Sequence, residues 1–149
     1  MSDNYLRYVP SNPHFQPTQD GAVAATALLR SFLPQAQAVT SAFYENIEFV
    51  DAGGNWSGVH CPACGTDAEA WWDDAMSEAA ETQFSSLLAQ ARCCGATVSL
   101  NELRYVWPVA FASFVLEAEN PSSTGLSAPQ LEKLASVLGC PVREIPAHL

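Results

Sequence analysis

The sequence predicts an α+β fold: a ferredoxin-like split βαβ sandwich with a cysteine-bearing module and a helix inserted at about residues 51–107. Three observations carry that expectation. Each end of the chain shows a strand–helix–strand order, with apolar residues recurring at the strand period of 2 and the helix period of 3.6. The stretch between the two ends holds four of the five cysteines in two tight groups. No internal repeat or low-complexity tract interrupts the chain, so 149 residues read as a single domain, 1–149. At 48% hydrophobic residues the chain can build a core, which argues against disorder.

The elements follow in order. Tyr5–Val9 is a short strand, and Pro10, Pro13 and Pro17 make residues 10–18 an extended arm. Thr18 or Asp20 caps a helix that runs to about Leu33, where Pro34 stops it; Val23, Ala24, Ala27, Leu28 and Ser31 form its expected inner face. Residues 38–50 form a strand with Val39, Phe43, Ile47 and Phe49 on one parity, and the misplaced Glu45 points to an edge position or a bulge. Asp51–Asn55 is a turn, and Trp56–His60 leads into the first cysteine pair. Thr66-Asp67-Ala68-Glu69 has the capping-box pattern, so a helix is expected just after Gly65, with Trp72, Ala75, Met76 and Ala79 inward. Leu87–Arg92 and Ala96–Ser99 are strands flanking the second cysteine pair, and Ser99-Leu100-Asn101-Glu102 caps a short helical turn. Val109–Glu119 is apolar on both parities, as a central strand covered on two sides would be. Ser127-Ala128-Pro129-Gln130 opens a helix with Leu131, Leu134, Ala135 and Leu138 inward and Gly139 at its end. Pro141–Ala147 is the last strand, and Pro146 places it at an edge.

The cysteines make the strongest chemical statement. Cys61-Pro62-Ala63-Cys64-Gly65 is followed by Cys93-Cys94-Gly95. In such a turn the proline stiffens the loop, and the glycine lets the chain fold back so that amide N–H groups reach the sulfurs. Four converging thiolates would close a structural zinc site. The pattern resembles one half of a zinc ribbon over about residues 56–99. More generally the chain resembles small uncharacterised bacterial proteins with an embedded Cys-Pro-x-Cys-Gly, zinc-ribbon-like module. A regular ribbon would repeat Cys-x-x-Cys-Gly, whereas here Cys93 is adjacent to Cys94, so the fourth ligand stays open between Cys93 and His60, with Cys140 and His148 as further alternatives.

Other chemistries compete for the same residues. Cys-Pro-x-Cys also looks like a glutaredoxin motif, in which the first cysteine sits at a helix N-terminus. The expected helix start beyond Gly65 and the second cysteine pair both oppose a thiol-redox or other small enzyme. Hydrolytic zinc needs an open coordination position, and His14, His60 and His148 form no metalloprotease pattern. No catalytic residue is assigned, and the reading is of a protein that is not an enzyme.

Charge supplies the remaining expectation. Sixteen acids against six Lys+Arg give a formal net charge of −10. No Lys or Arg lies between Arg30 and Arg92, whereas Glu45, Glu48, Asp51, Asp67, Glu69, Asp73, Asp74, Glu78 and Glu81 do. Such a stretch repels phosphate backbones and attracts a basic protein. The expected role is therefore a zinc-stabilised, acidic protein-binding module, such as an immunity protein or antitoxin that neutralises a basic toxin. Asp73, Asp74, Glu78 and Glu81 are its expected contact residues, with Trp71 as aromatic anchor. A nucleic-acid-associated zinc-ribbon adaptor is the alternative that the charge disfavours. No run reaches the ~18 apolar residues of a membrane span, and the first residues lack a secretory signal's basic start, so the expected location is the cytoplasm.

Overall fold

The computed structural model describes residues 3–53 and 56–148. Its architecture is mixed α+β, with three helices and an antiparallel four-stranded sheet. The strands are β1 (Asn4–Pro10), β2 (Ala38–Val50), β7 (Ala110–Glu119) and β8 (Val142–His148), in the order β2-β7-β1-β8. Every neighbouring pair is antiparallel. Pro146 therefore lies on an edge strand, where its missing N–H costs no ladder bond.

Two helices cover one sheet face. α1 (Gln19–Phe32) is capped by the Thr18 side chain, which accepts from the Gly21 N–H. α3 (Ala128–Leu138) starts in a full capping box between Ser127 and Gln130 and ends at Gly139, whose φ of 84° is one that glycine adopts without strain. Leu6, Tyr8, Phe114 and Leu116 of the sheet pack against Ala25 and Leu29 of α1 and Leu134 and Leu138 of α3. Burying each of these large side chains contributes roughly 1.5–3 kcal/mol. The buried stripe of α1 is Ala22, Ala25 and Leu29; of the predicted face Val23, Ala24, Ala27, Leu28 and Ser31, Leu28 packs against the core, the others are exposed, and Val23 is 69% exposed. Small alanines face inward because α1 packs against both α3 and the sheet.

The central strand β7 is buried on both parities from Ala110 to Leu116, as predicted. On the face away from the helices, the Arg7 guanidinium pairs with Glu117 at 2.8 Å and lies 5.0 Å from the centroid of the Tyr5 ring. The predicted irregularity in β2 is a bulge. Phe43 pairs with Phe114 and Glu48 with Ala112, so residues 44–47 of β2 stand opposite one residue of β7. The bulge redirects the strand: Val39 and Phe43 belong to the helix-covered core, whereas Ile47 and Phe49 join a second core.

That second core belongs to the chain between β2 and β7. It contains the strand pair β3 (Val59–His60) with β6 (Arg104–Tyr105), helix α2 (Glu69–Ala80), and the hairpin β4 (Leu88–Gln90) with β5 (Thr97–Ser99). One 3-10 turn follows at Leu100–Glu102. Phe111 ties this segment to the sheet through ring contacts with Phe49 at 5.0 Å and Phe84 at 5.3 Å. Gly54 and Asn55, the end of the predicted Asp51–Asn55 turn, lie outside the described residues.

Asn101 is the polar joint between the two parts. Its buried side chain accepts from the Phe111 N–H at 2.9 Å and donates to the Ser11 carbonyl at 3.1 Å. Its own carbonyl accepts from Arg143 at 2.8 Å. Asn101→Ala would strand a buried N–H and a part-buried carbonyl. It should destabilise the fold by about 2–3 kcal/mol, measured as a lower denaturant midpoint with an unchanged slope.

Candidate metal centre

Two turns of the same design bring the cysteines together. In the first, the Cys61 N–H donates to the Thr66 carbonyl at 2.9 Å, and the Gly65 N–H donates to the Cys61 carbonyl at 2.9 Å. In the second, the Ala91 N–H donates to the Ala96 carbonyl at 2.8 Å, and the Gly95 N–H donates to the Ala91 carbonyl at 2.6 Å. Gly65 and Gly95 hold φ of 78° and 76°, a left-handed conformation that favours glycine. Aligned on these bonds, Cys64 matches Cys94, and Cys61 matches Ala91. Cys93 occupies the third position of its turn, where the first turn has Ala63. Cys61 and Ala91 are both fully buried, whereas Cys64, Cys93 and Cys94 are exposed.

The four sulfurs of Cys61, Cys64, Cys93 and Cys94 lie within 4.8 Å of one another, and they form a group that can hold a metal ion. A tetrahedral ion with metal–sulfur bonds of ~2.3 Å sets its sulfurs about 3.8 Å apart. Cys61 Sγ and Cys94 Sγ stand at 3.8 Å, and Cys64 Sγ and Cys93 Sγ at 3.3 Å. The second distance is well beyond the ~2.0 Å of a disulfide, and all five cysteines are free. The donor set fits a thiophilic ion without large movement, and a group of four sulfurs offers no carboxylate or imidazole that would mark an open hydrolytic site. His60 is not part of the group: it pairs with Arg104 in the β3–β6 ladder and bridges to Asp67.

The sulfurs differ in their surroundings. The Thr66 hydroxyl, 3.3 Å from Cys64 Sγ, and the Thr66 amide hold Cys64 down to about 6. The Ala96 amide, which favours the thiolate, is the largest single influence on Cys94, but loss of solvent and the neighbouring thiols together leave it raised. Loss of solvent, together with hydrogen bonding to the other thiols, pushes Cys93 up to about 12.

Helix α2 starts later than the sequence predicts. Its N-cap is Ala68, with no side-chain cap, and Asp67 accepts from the Glu69 N–H at 2.8 Å instead. The turn uses up the predicted capping box, because Thr66 closes onto Cys61 and the Ala68 N–H donates to Val59. The offset start also corrects the anchor. Trp71 is 4% exposed and packs with Cys61, Ala68 and Ala91, so it offers no aromatic contact on the surface. Trp72 is only partly buried, between Trp56 at 4.9 Å and Phe49 at 6.0 Å, and its indole N–H donates to the Tyr105 hydroxyl at 3.3 Å.

Asp73, Asp74, Glu78 and Glu81 are exposed on α2 and just past its end. Asp74 carries an ion pair with Arg92 at 2.8 Å, open to solvent and worth at most ~1 kcal/mol. A cavity of about 650 Å³ is lined by Tyr5, Trp107, Asn120 and His148 among others, and no cysteine lines it. Among the described residues no helix is long and apolar enough to cross a membrane. No protein family, curated protein or solved structure matches this chain.

Proposed function

We propose that this chain is a zinc-stabilised, acidic protein-binding module: a ferredoxin-like split βαβ sandwich with a zinc-ribbon-like insertion at about residues 51–107. The observation that carries the reading is the four-sulfur group on two turns of matching hydrogen-bond pattern. The antiparallel order β2-β7-β1-β8, with two helices on one face, supports the sandwich part. Four thiolates favour zinc over hard cations, and they leave it no open position for chemistry, which makes its role structural. Purified protein should carry about one zinc per chain by elemental analysis, with four thiols protected from titration. Metal-free protein with those thiols freely reactive would remove this reading.

The partner in this proposal is a basic protein, with the toxin-neutralising role of an immunity protein or antitoxin as its specific form. Asp73, Asp74, Glu78 and Glu81 present acid on an exposed helix face next to the ribbon, and four metal-bound thiolates would add about two further negative charges. Charge of one sign steers association and makes it salt-sensitive. Changing Asp73, Asp74 and Glu78 to Lys should slow association at least tenfold at low salt and leave the fold intact. An on-rate indifferent to salt and to these changes would reduce the acidic stretch to a solubility feature. Nucleic-acid binding at physiological salt would overturn the choice of partner.

A second reading, thiol redox, has one observation behind it. Cys64 sits near 6, exposed, with Cys93 Sγ 3.3 Å away. It requires reversible oxidation of that pair in metal-free protein, and a tightly held zinc excludes it.

A further inference from the structure

The chain carries a net charge of −10, yet no Asp, Glu, Lys or Arg stands among the described residues that line the cavity of about 650 Å³. That volume falls within the ~300–1,000 Å³ of small-molecule sites. The cavity opens between the start of β1, the end of β8 and the loop after β7, and Trp107 joins its lining from the link between β6 and β7. The Trp107 indole N–H donates to the Pro146 carbonyl at 3.0 Å, which fixes the ring although it is 37% exposed. Tyr5, the other aromatic ring of the lining, already carries the Arg7 guanidinium at 5.0 Å from its centroid. The loop is built rather than slack. Asn120 and Ser122 hold φ of 45° and 55°, left-handed values that strain a residue with a side chain. The Asn120 carboxamide holds the loop there: it accepts from the Asn4 N–H at 2.9 Å and donates to Asp3 at 3.1 Å and Gln37 at 3.0 Å. Backbone strain held in place by its surroundings concentrates at ligand sites.

We propose that this cavity binds a neutral saccharide, with a pyranose ring stacked on the Trp107 indole. The unengaged polar groups of the lining select the class. Asn4 Oδ1 can only accept, so His148 donates to it from Nδ1 at 2.8 Å, and in the neutral ring Nε2 is left as an acceptor. The Asn4 side-chain nitrogen and the Ser122 and Thr124 hydroxyls have no partner among the described residues. The lining thus offers a donor, an acceptor and two groups that are both. A sugar hydroxyl donates and accepts at once, so it can use all four. A phosphate only accepts and meets no cationic side chain here, and an ammonium ion only donates and meets no carboxylate. The weakly positive C–H face of a pyranose also complements the negative face of an indole ring. The site is separate from the sulfur group and does not rest on the metal reading.

The test titrates the full chain with cellobiose, maltose and N,N′-diacetylchitobiose and follows the indole N–H signals by proton–nitrogen correlation, with Trp107 assigned by Trp107→Phe. At least one disaccharide should move the Trp107 signal saturably, while the Trp71 and Trp72 signals stay in place. Choline and inorganic phosphate at the same concentrations should move none of them. Trp107→Ala should raise the saccharide Kd roughly tenfold, through loss of the stacking surface. His148→Ala should raise it about fivefold, through loss of one hydrogen bond. Because Trp107→Ala also removes the bond to Pro146, unchanged Trp71 and Trp72 signals check its fold, and His148→Ala decides the matter if that fold is lost. A Trp107 signal that none of the three disaccharides moves would overturn the proposal. A response to choline or phosphate alone would overturn the ligand class, and saccharide binding unchanged in the folded variants would overturn the site.

Discussion

Cys61→Ser should abolish stoichiometric zinc and unfold the segment between β2 and β7, while the four-stranded sheet survives. Cys61 is the buried member of the sulfur group and packs with Trp71, Ala68 and Val59. Serine there removes a soft ligand and places a hydroxyl among apolar side chains. Structural zinc contributes on the order of 10 kcal/mol to small metal-dependent modules, far more than the short strand pairs β3–β6 and β4–β5 can replace. The sheet has its own core of Leu6, Tyr8, Phe114, Leu116 and the α1 and α3 residues, none of which touches a cysteine turn. The expected hydrogen-exchange pattern is therefore split: protection lost across α2, β4 and β5, and retained in β1, β7 and β8. Chelator should reproduce the same pattern in the unmutated chain. It should act at lower concentration as pH falls, because protons compete with the ion for the thiolates. Uniform protection in Cys61→Ser would show that packing alone holds the segment.

Much of this arrangement was legible in the sequence because local chemistry dictated it. The α3 capping box, Gly139, the edge proline and the apolar run of β7 each carry a signal within a few residues, and each stands where the pattern placed it. The Glu45 parity conflict marked the β2 bulge for the same reason. The misplacements share a different cause. Thr66-Asp67-Ala68-Glu69 has a helix-start pattern, but long-range bonds to Val59 and Cys61 claimed its backbone first. The start of α2 thus moved to Glu69, and Trp71 took the buried position expected for Trp72. The inward face of α1 likewise depended on its contact with α3, which no local period reports. The burial of Trp71 in the cluster that holds Cys61 followed from the corrected helix start, and no motif announces it.

The shared hydrogen-bond pattern of the two turns leads to the sharpest expected result. Cys93→Ala should weaken zinc binding at least a hundredfold, since three thiolates and a water replace a closed set. Adding Ala91→Cys to that variant should restore it. Ala91 stands where Cys61 stands in the first turn, with the same 6-to-1 closure, the same glycine conformation one residue after the matched cysteine, and the same complete burial. A thiol at 91 would approach the ion from the turn's first position, as Cys61 does. Rescue in the double variant, read by competition with a chelator, would establish that the second turn is a regular ribbon turn with one ligand displaced by two residues. Failure of the rescue with the fold retained would mean that Cys93 reaches the ion along a path the first position cannot supply. The resemblance of the two turns would then stop at the backbone.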